Sequence, residues 1–344
     1  MRTPRAAQHP IRRRLTRTRL LLAAGTAGLL ACSAVATAQG LEQRPTQDVT
    51  RDVGTADLPA DTVFYDHPGA IHEWVADNPN DARTALIEER IASQPQATWF
   101  SNYSPDTVTA EATAITDAAA AAGQVPVLVS YMIPNRDCGG ASAGGAPDFP
   151  SYLSWTEDFA AGLGTGPAVV ILEPDSIALT TCLDQNEFAE RFASLREAAD
   201  IIHAANPEAR VYFDAGHSSW HSPGAIADLL TQAGVLESGD GIYSNASNYN
   251  WTDDEVGFAE AVLGELGDAE LGAVIDTSRN GNGPAPMGEW CDPADRLVGD
   301  APTVNTGSDR VDAFVWIKRP GELDGCDGPA GQFSPDKAYE LAGG

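Results

Sequence analysis

Lysine is nearly missing from this sequence. Only Lys318 and Lys337 occur in 344 residues, 21 basic side chains stand against 49 acidic ones, and the formal net charge is -28. A chain of that sign repels phosphate backbones and anionic lipid, which excludes nucleic acid and acidic membrane surfaces as partners. A transmembrane anchor is not expected either, because the marked apolar run at 20–32 falls short of the roughly 20 residues that a spanning helix needs. Cysteines at the short spacing of a zinc site are absent, and neither a metal nor a cofactor is expected.

The short apolar run has another reading. It follows an arginine-rich head (Arg12, Arg13, Arg14, Arg17, Arg19) and precedes Ala36, Thr37 and Ala38, the order of an export signal. Residues 1–38 are therefore expected to direct secretion. The paired arginines suit a twin-arginine route, and Leu29, Leu30, Ala31, Cys32 resembles a lipoprotein box, so a lipid-anchored surface form through Cys32 is the alternative. Export suits the remaining cysteines, since Cys138, Cys182, Cys291 and Cys326 are an even set that reads as two disulfides. Sequential pairing is one of three connectivities.

Residues 39–60 are polar and read as a spacer, and 61–344 as one domain, expected to be monomeric. Within it, runs rich in Val, Ile, Phe and Tyr at 97–100, 125–132, 168–172, 210–213, 241–243, 271–275 and 313–317 alternate with amphipathic stretches such as 81–93, 105–121, 186–205 and 253–266. That order predicts an α/β fold, a TIM-like parallel β/α barrel distorted to seven strands. Ionisable groups gather just after the runs: Arg136 and Asp137, Glu173 and Asp175, Asp214 and His217, Asp276 and Arg279, then Lys318, Glu322 and Asp324. In a barrel these carboxyl ends share one face, where active sites lie.

Asp137 and Asp175 are the leading pair. Hydrolysing an acetal needs a proton for the departing oxygen and a way to activate water, which two carboxyl groups in different environments supply. If Cys138 pairs with Cys182, the two acid-bearing loops are tied together, and closing a loop of that length stabilises by roughly 4 kcal/mol in the chain-entropy model. Trp99, Trp220, Trp251 and Trp290 stand near the strand ends, where a flat ring can stack on a sugar. Residues 140–144 match the G-x-S-x-G serine-hydrolase pattern but read as a glycine-rich lid with no helix after it, and 324–328 lack a calcium loop's ligand register.

The motifs YMIPNRDC (131–138), LEPDSI (172–177), FDAGHSSW (213–220), IDTSRNGNG (275–283), EWC (289–291) and VWIKRPGELD (315–324) resemble glycoside hydrolase family 6, inverting enzymes that cut the β-1,4 bonds of cellulose. The resemblance spans about 60–342 and implies a distorted seven-stranded barrel. It implies Asp175 as general acid, Asp137 as the aspartate that keeps it protonated and draws a proton from water, Asp324 as a proposed direct base, and Asp214 as a group that shapes the field. Tyr131 would press on the distorted sugar, Arg136 would tune the acids, and Trp99, His217, Trp220, Asn245, Trp290, Lys318 and Glu322 would bind β-1,4-glucan. The family's serine six residues after the RDC aspartate is replaced by Ala143, with Ser142 one place earlier. The expected activity is a secreted inverting endo-β-1,4-glucanase, with an exo-acting cellobiohydrolase or a catalytically silent glycan-binding protein as alternatives.

Overall fold

The computed structural model describes residues 58–344. The expected export signal and all but the last residues of the expected spacer lie outside them. Seven strands, β1 (Thr98–Phe100), β2 (Val127–Ser130), β3 (Ala168–Leu172), β4 (Ala209–Asp214), β5 (Gly241–Ser244), β6 (Gly272–Asp276) and β7 (Val311–Val315), pair in parallel in chain order. The sheet curls into a half-barrel whose edges, β1 and β7, approach without a full ladder. One backbone bond, from Ala97 N–H to the Trp316 carbonyl at 2.9 Å, crosses between them. Trp99 Nε1 donates to the Ile317 carbonyl at 2.7 Å and Arg319 Nε to the Ala97 carbonyl at 2.9 Å beside it.

Strand side chains alternate in direction, so each strand feeds two cores. Val127, Val129, Val169, Ile171, Tyr212, Tyr243, Val274 and Val315 fill the barrel interior. Leu128, Val170, Leu172, Val211, Phe213, Ile242 and Ile275 point outward under the helices. The helices are α1 (Ala70–Asp77), α2 (Thr84–Ile87, running into a π turn at Glu88–Ala92), α3 (Val108–Ala122), α4 (Phe149–Ala161), α5 (Gln185–Ala205), α6 (Pro223–Ala233), a short α7 (Val235–Ser238), α8 (Thr252–Leu266) and α9 (Pro335–Leu341). Their ends follow local chemistry. Asp184 and Glu187 form a capping box on α5, Asp148 caps α4, and left-handed glycines at 123, 234 and 267 stop α3, α6 and α8. A third cluster, with Ile71, Ile87, Ile91, Trp316 and Leu341, covers the open seam with α1, α2 and α9.

Leu58, in the expected spacer, is 8% exposed and belongs with Phe64 to the interior cluster. One expectation needs correction. A helix does follow the glycine-rich 140–144 segment, since α4 starts at Phe149. The segment is nonetheless no nucleophile elbow, because a 3-10 turn at Asp137–Gly139 rather than a strand leads into it. The amphipathic stretch 81–93 forms a short α-helix that runs directly into a π turn.

Candidate active site

The carboxyl ends of the strands enclose a groove of about 770 Å³, inside the size range of ligand sites. Left-handed backbone recurs in the segments after β2 and β3, which carry Asp137 and Asp175 into the groove. Asn135 (φ 54°), Asp137 (φ 53°), Cys138 (φ 46°), Glu173 (φ 50°) and Asp175 (φ 68°) are all left-handed without being glycine. Such conformations cost free energy and persist only where neighbours over-determine them. The neighbours are identifiable. Glu173, fully buried, accepts from Ser130 Oγ at 2.6 Å and from the N–H groups of Met132 and Ile133 at 2.7 and 2.8 Å, tying the end of β3 to the end of β2. Disulfides join Cys138 to Cys182 and Cys291 to Cys326, the sequential pattern, with Cα separations of 5.6 and 5.8 Å.

Four carboxylates differ sharply in what surrounds them. Asp175 faces the groove half-buried, and among the described residues no hydrogen-bond donor reaches its carboxyl. Burial first, then the charges of Asp214 and Asp137, push its pKa up from 3.8 to about 8. It therefore carries a proton at neutral pH. Asp137 lies in the same groove and accepts the Ser142 N–H at 2.7 Å. Asp214 is fully enclosed behind the groove. It accepts the N–H groups of Ile177, Ala178 and Gly216 at 3.1, 2.9 and 2.9 Å, and acts on Asp175 through its charge rather than by contact with the cavity.

Asp324 is the electrostatic opposite of Asp175. Burial would raise its pKa, but Arg279 and Lys318 outweigh burial and hold it below the ordinary carboxylate range. Arg279 Nη1 stands 2.9 Å and Lys318 Nζ 3.2 Å from its oxygens, and the Tyr249 hydroxyl donates to it at 3.0 Å. One groove thus holds a neutral acid and an ionised carboxylate, the division of labour that acetal hydrolysis requires.

Aromatic faces line the rest. Tyr131 meets Trp99 edge-on at 5.3 Å and lies under the Arg136 guanidinium at 4.3 Å. Arg136 is held in turn by the carbonyls of Ser142, Ser101 and Tyr131. Trp220 and Trp290 stand on the rim, 36% and 55% exposed. Gly216, at φ 66°, lets Trp220 sit close, because a Cβ there would come within 3.2 Å of the indole and 2.9 Å of Ala178 Cβ. His217, beside Trp220, is lowered to about 4 by burial and by His221, so it is a neutral hydrogen-bonding group at working pH.

The sequence profile of glycosyl hydrolases family 6 matches residues 61–342. This chain belongs to that family. Endoglucanase 1 of Streptomyces sp. (strain KSM-9) is 59% identical over 296 residues, covering 86% of this chain and 82% of that protein. Endoglucanase A of Thermobispora bispora is 50% identical, covering 82% of this chain and 62% of the relative. Among solved structures, the endoglucanase Cel6 of Mycobacterium tuberculosis, in complex with methyl-cellobiosyl-4-deoxy-4-thio-β-D-cellobioside, superposes with a TM-score of 0.77 at 41% identity, covering 83% of this chain and 97% of that one. The family 6 chain is therefore a glycoside hydrolase.

Within this family 6 groove the structure brings together Trp99, Tyr131, Arg136, Asp137, Asp175, His217, Trp220, Trp290, Lys318, Glu322 and Asp324. Asn245 does not join them. It is buried, donates to the carbonyls of Asp276 and Asn250 at 2.9 and 3.3 Å and accepts from the Asn250 N–H at 3.1 Å, which uses its amide as an internal bracket. Trp99 sits on β1, within the run expected at 97–100, and Trp251 packs over Gly283 outside the groove lining. Tyr249, which lines the groove and donates to Asp324, escaped the sequence reading. It lies in the NYN segment after β5 and carries no motif signal.

Proposed function

We propose that this chain is an endo-acting β-1,4-glucanase that hydrolyses cellulose or soluble β-glucan with inversion. Asp175 protonates the departing glycosidic oxygen, while a water on the opposite face of the sugar is activated through Asp137, with Asp324 as the ionised carboxylate that stabilises positive charge or takes the proton directly. Asp214 is a positioning residue that keeps Asp175 protonated. Tyr131 limits the sugar ring at the cleavage point, and Trp99, Trp220 and Trp290 supply stacking platforms, with Arg136, His217, Lys318 and Glu322 as polar partners. The observation that carries the reading is the contrast within one groove: Asp175 meets no donor among the described residues and has a pKa of about 8, whereas Asp324 is clasped by two cations.

The reading includes export, a single catalytic domain from about residue 58, and a monomer. The two disulfides support an oxidising destination. No helix of the described residues is long and apolar enough to cross a membrane. Relatives named endoglucanases and the exposed rim tryptophans favour internal cutting. One contact favours the exo alternative: Gly325 packs on Ala141, so the loops after β7 and β2 meet at the groove's edge. Viscosity of a soluble β-1,4-glucan followed against new reducing ends tests the choice. A steep early viscosity loss is expected; a slow one means chain-end attack. Asp175→Asn should abolish turnover while sparing cello-oligosaccharide binding.

A further inference from the structure

Beside each disulfide, a buried charged side chain joins the same two loops without a covalent bond. At Cys138–Cys182 it is Arg191 of α5, 1% exposed. Its Nη2 donates to the carbonyls of Pro134 and Asn135 at 3.0 and 2.9 Å, just before Asp137. Its Nη1 lies 3.5 Å from the carbonyls of Ser176 and Leu179, just after Asp175. At Cys291–Cys326 it is Asp292. Oδ1 accepts the Asp324 N–H at 2.7 Å, and Oδ2 accepts those of Gly325, Cys326 and Asp327 at 3.2, 2.9 and 3.0 Å. Asp324 Oδ2 returns the contact by accepting the Asp292 N–H at 3.2 Å.

A disulfide stabilises mainly by restricting the unfolded chain, and it fixes one separation while leaving rotation about it. Several charge-assisted bonds converging on backbone groups fix a loop's orientation in the folded state. The left-handed residues Asp137, Asp175 and Asp292 need that kind of support. We infer that Arg191 and Asp292 are the positioning residues that set the Asp137, Asp175 and Asp324 loops, and that the two disulfides are dispensable for catalytic geometry. Activity is then insensitive to the redox state of the four cysteines, whose contribution is to stability. The inference rests on the hydrolase reading of those three aspartates.

The test compares paired variants on a soluble β-1,4-glucan, well below the unfolding transition, with amide hydrogen exchange of residues 134–142 and 323–327 as a readout independent of turnover. Cys138→Ala with Cys182→Ala, and Cys291→Ala with Cys326→Ala, should keep kcat within about threefold and leave loop exchange slow, while melting earlier. Arg191→Met and Asp292→Ala should lower kcat by roughly tenfold or more and speed exchange in the loop each one holds, with Arg191→Lys and Asp292→Asn recovering part of both. Reducing the wild-type disulfides with dithiothreitol should likewise leave kcat intact, which decides the matter if a cysteine pair variant does not fold. Slow exchange and full kcat in Arg191→Met and Asp292→Ala, or loss of kcat on reduction of the folded protein, overturns the inference. Should the wild type show no glucan hydrolysis, the function reading falls, and the exchange data still decide what holds the loops.

Discussion

Replacing Asp175 with Asn should make the protein more stable as it destroys activity. Folding raises the Asp175 carboxyl from 3.8 to about 8, so between those pH values the folded state holds a proton that the unfolded chain has released. Stability from this group is complete below pH 3.8, declines as pH rises, and reaches its floor above about 8. Each unit of pKa corresponds to about 1.4 kcal/mol, so at neutral pH the aspartate costs on the order of 4 kcal/mol, an upper bound because the groove wall relaxes around the charge. Asparagine has nearly the same shape, does not ionise, and forfeits no donor, since none of the described residues donates to the carboxyl. Urea unfolding of both proteins across this range measures the difference. The gain should be near zero at the acid end, grow through neutrality and level off above pH 8. A difference that does not change with pH would refute the claim that Asp175 is held protonated.

Other consequences follow from the same groove. Asp214→Asn removes the second-largest cause of the raised Asp175 pKa, so the basic limb of kcat/KM should move down from near 8 by roughly one unit, measured as a pH profile on soluble glucan. The same variant turns an amide NH2 toward either the Gly216 N–H or those of Ile177 and Ala178, and should lose about 1–3 kcal/mol in urea unfolding. Trp220→Ala should raise KM about fivefold with kcat less affected, since a rim platform at 36% exposure contributes about 1 kcal/mol of stacking.

Much of this was legible in the sequence because a parallel barrel writes its strands as short β-branched runs and its chemistry just after them. Residues 168–172 were placed as the strand that forms, and Asp137, Asp175 and Asp324 reach one groove. Helix α4 was hidden by Pro150, which suits a first turn but reads as a breaker when the Asp148 cap goes unnoticed. Trp251 looked like a sugar platform by composition, yet Gly283 leaves room for the ring to lie over the backbone. Arg191 carried no signal at all, because a helix arginine normally reads as solvent-facing. Its partners are carbonyls from loops 12 to 57 residues away, visible once α5 is laid on the barrel.

Proton NMR of the first products released from a soluble β-1,4-glucan tests the central claim most directly. A neutral Asp175 on one face and an activated water on the other predict that new reducing ends appear first in the α configuration and mutarotate toward β. New ends appearing first as β would show a retaining displacement and contradict the account.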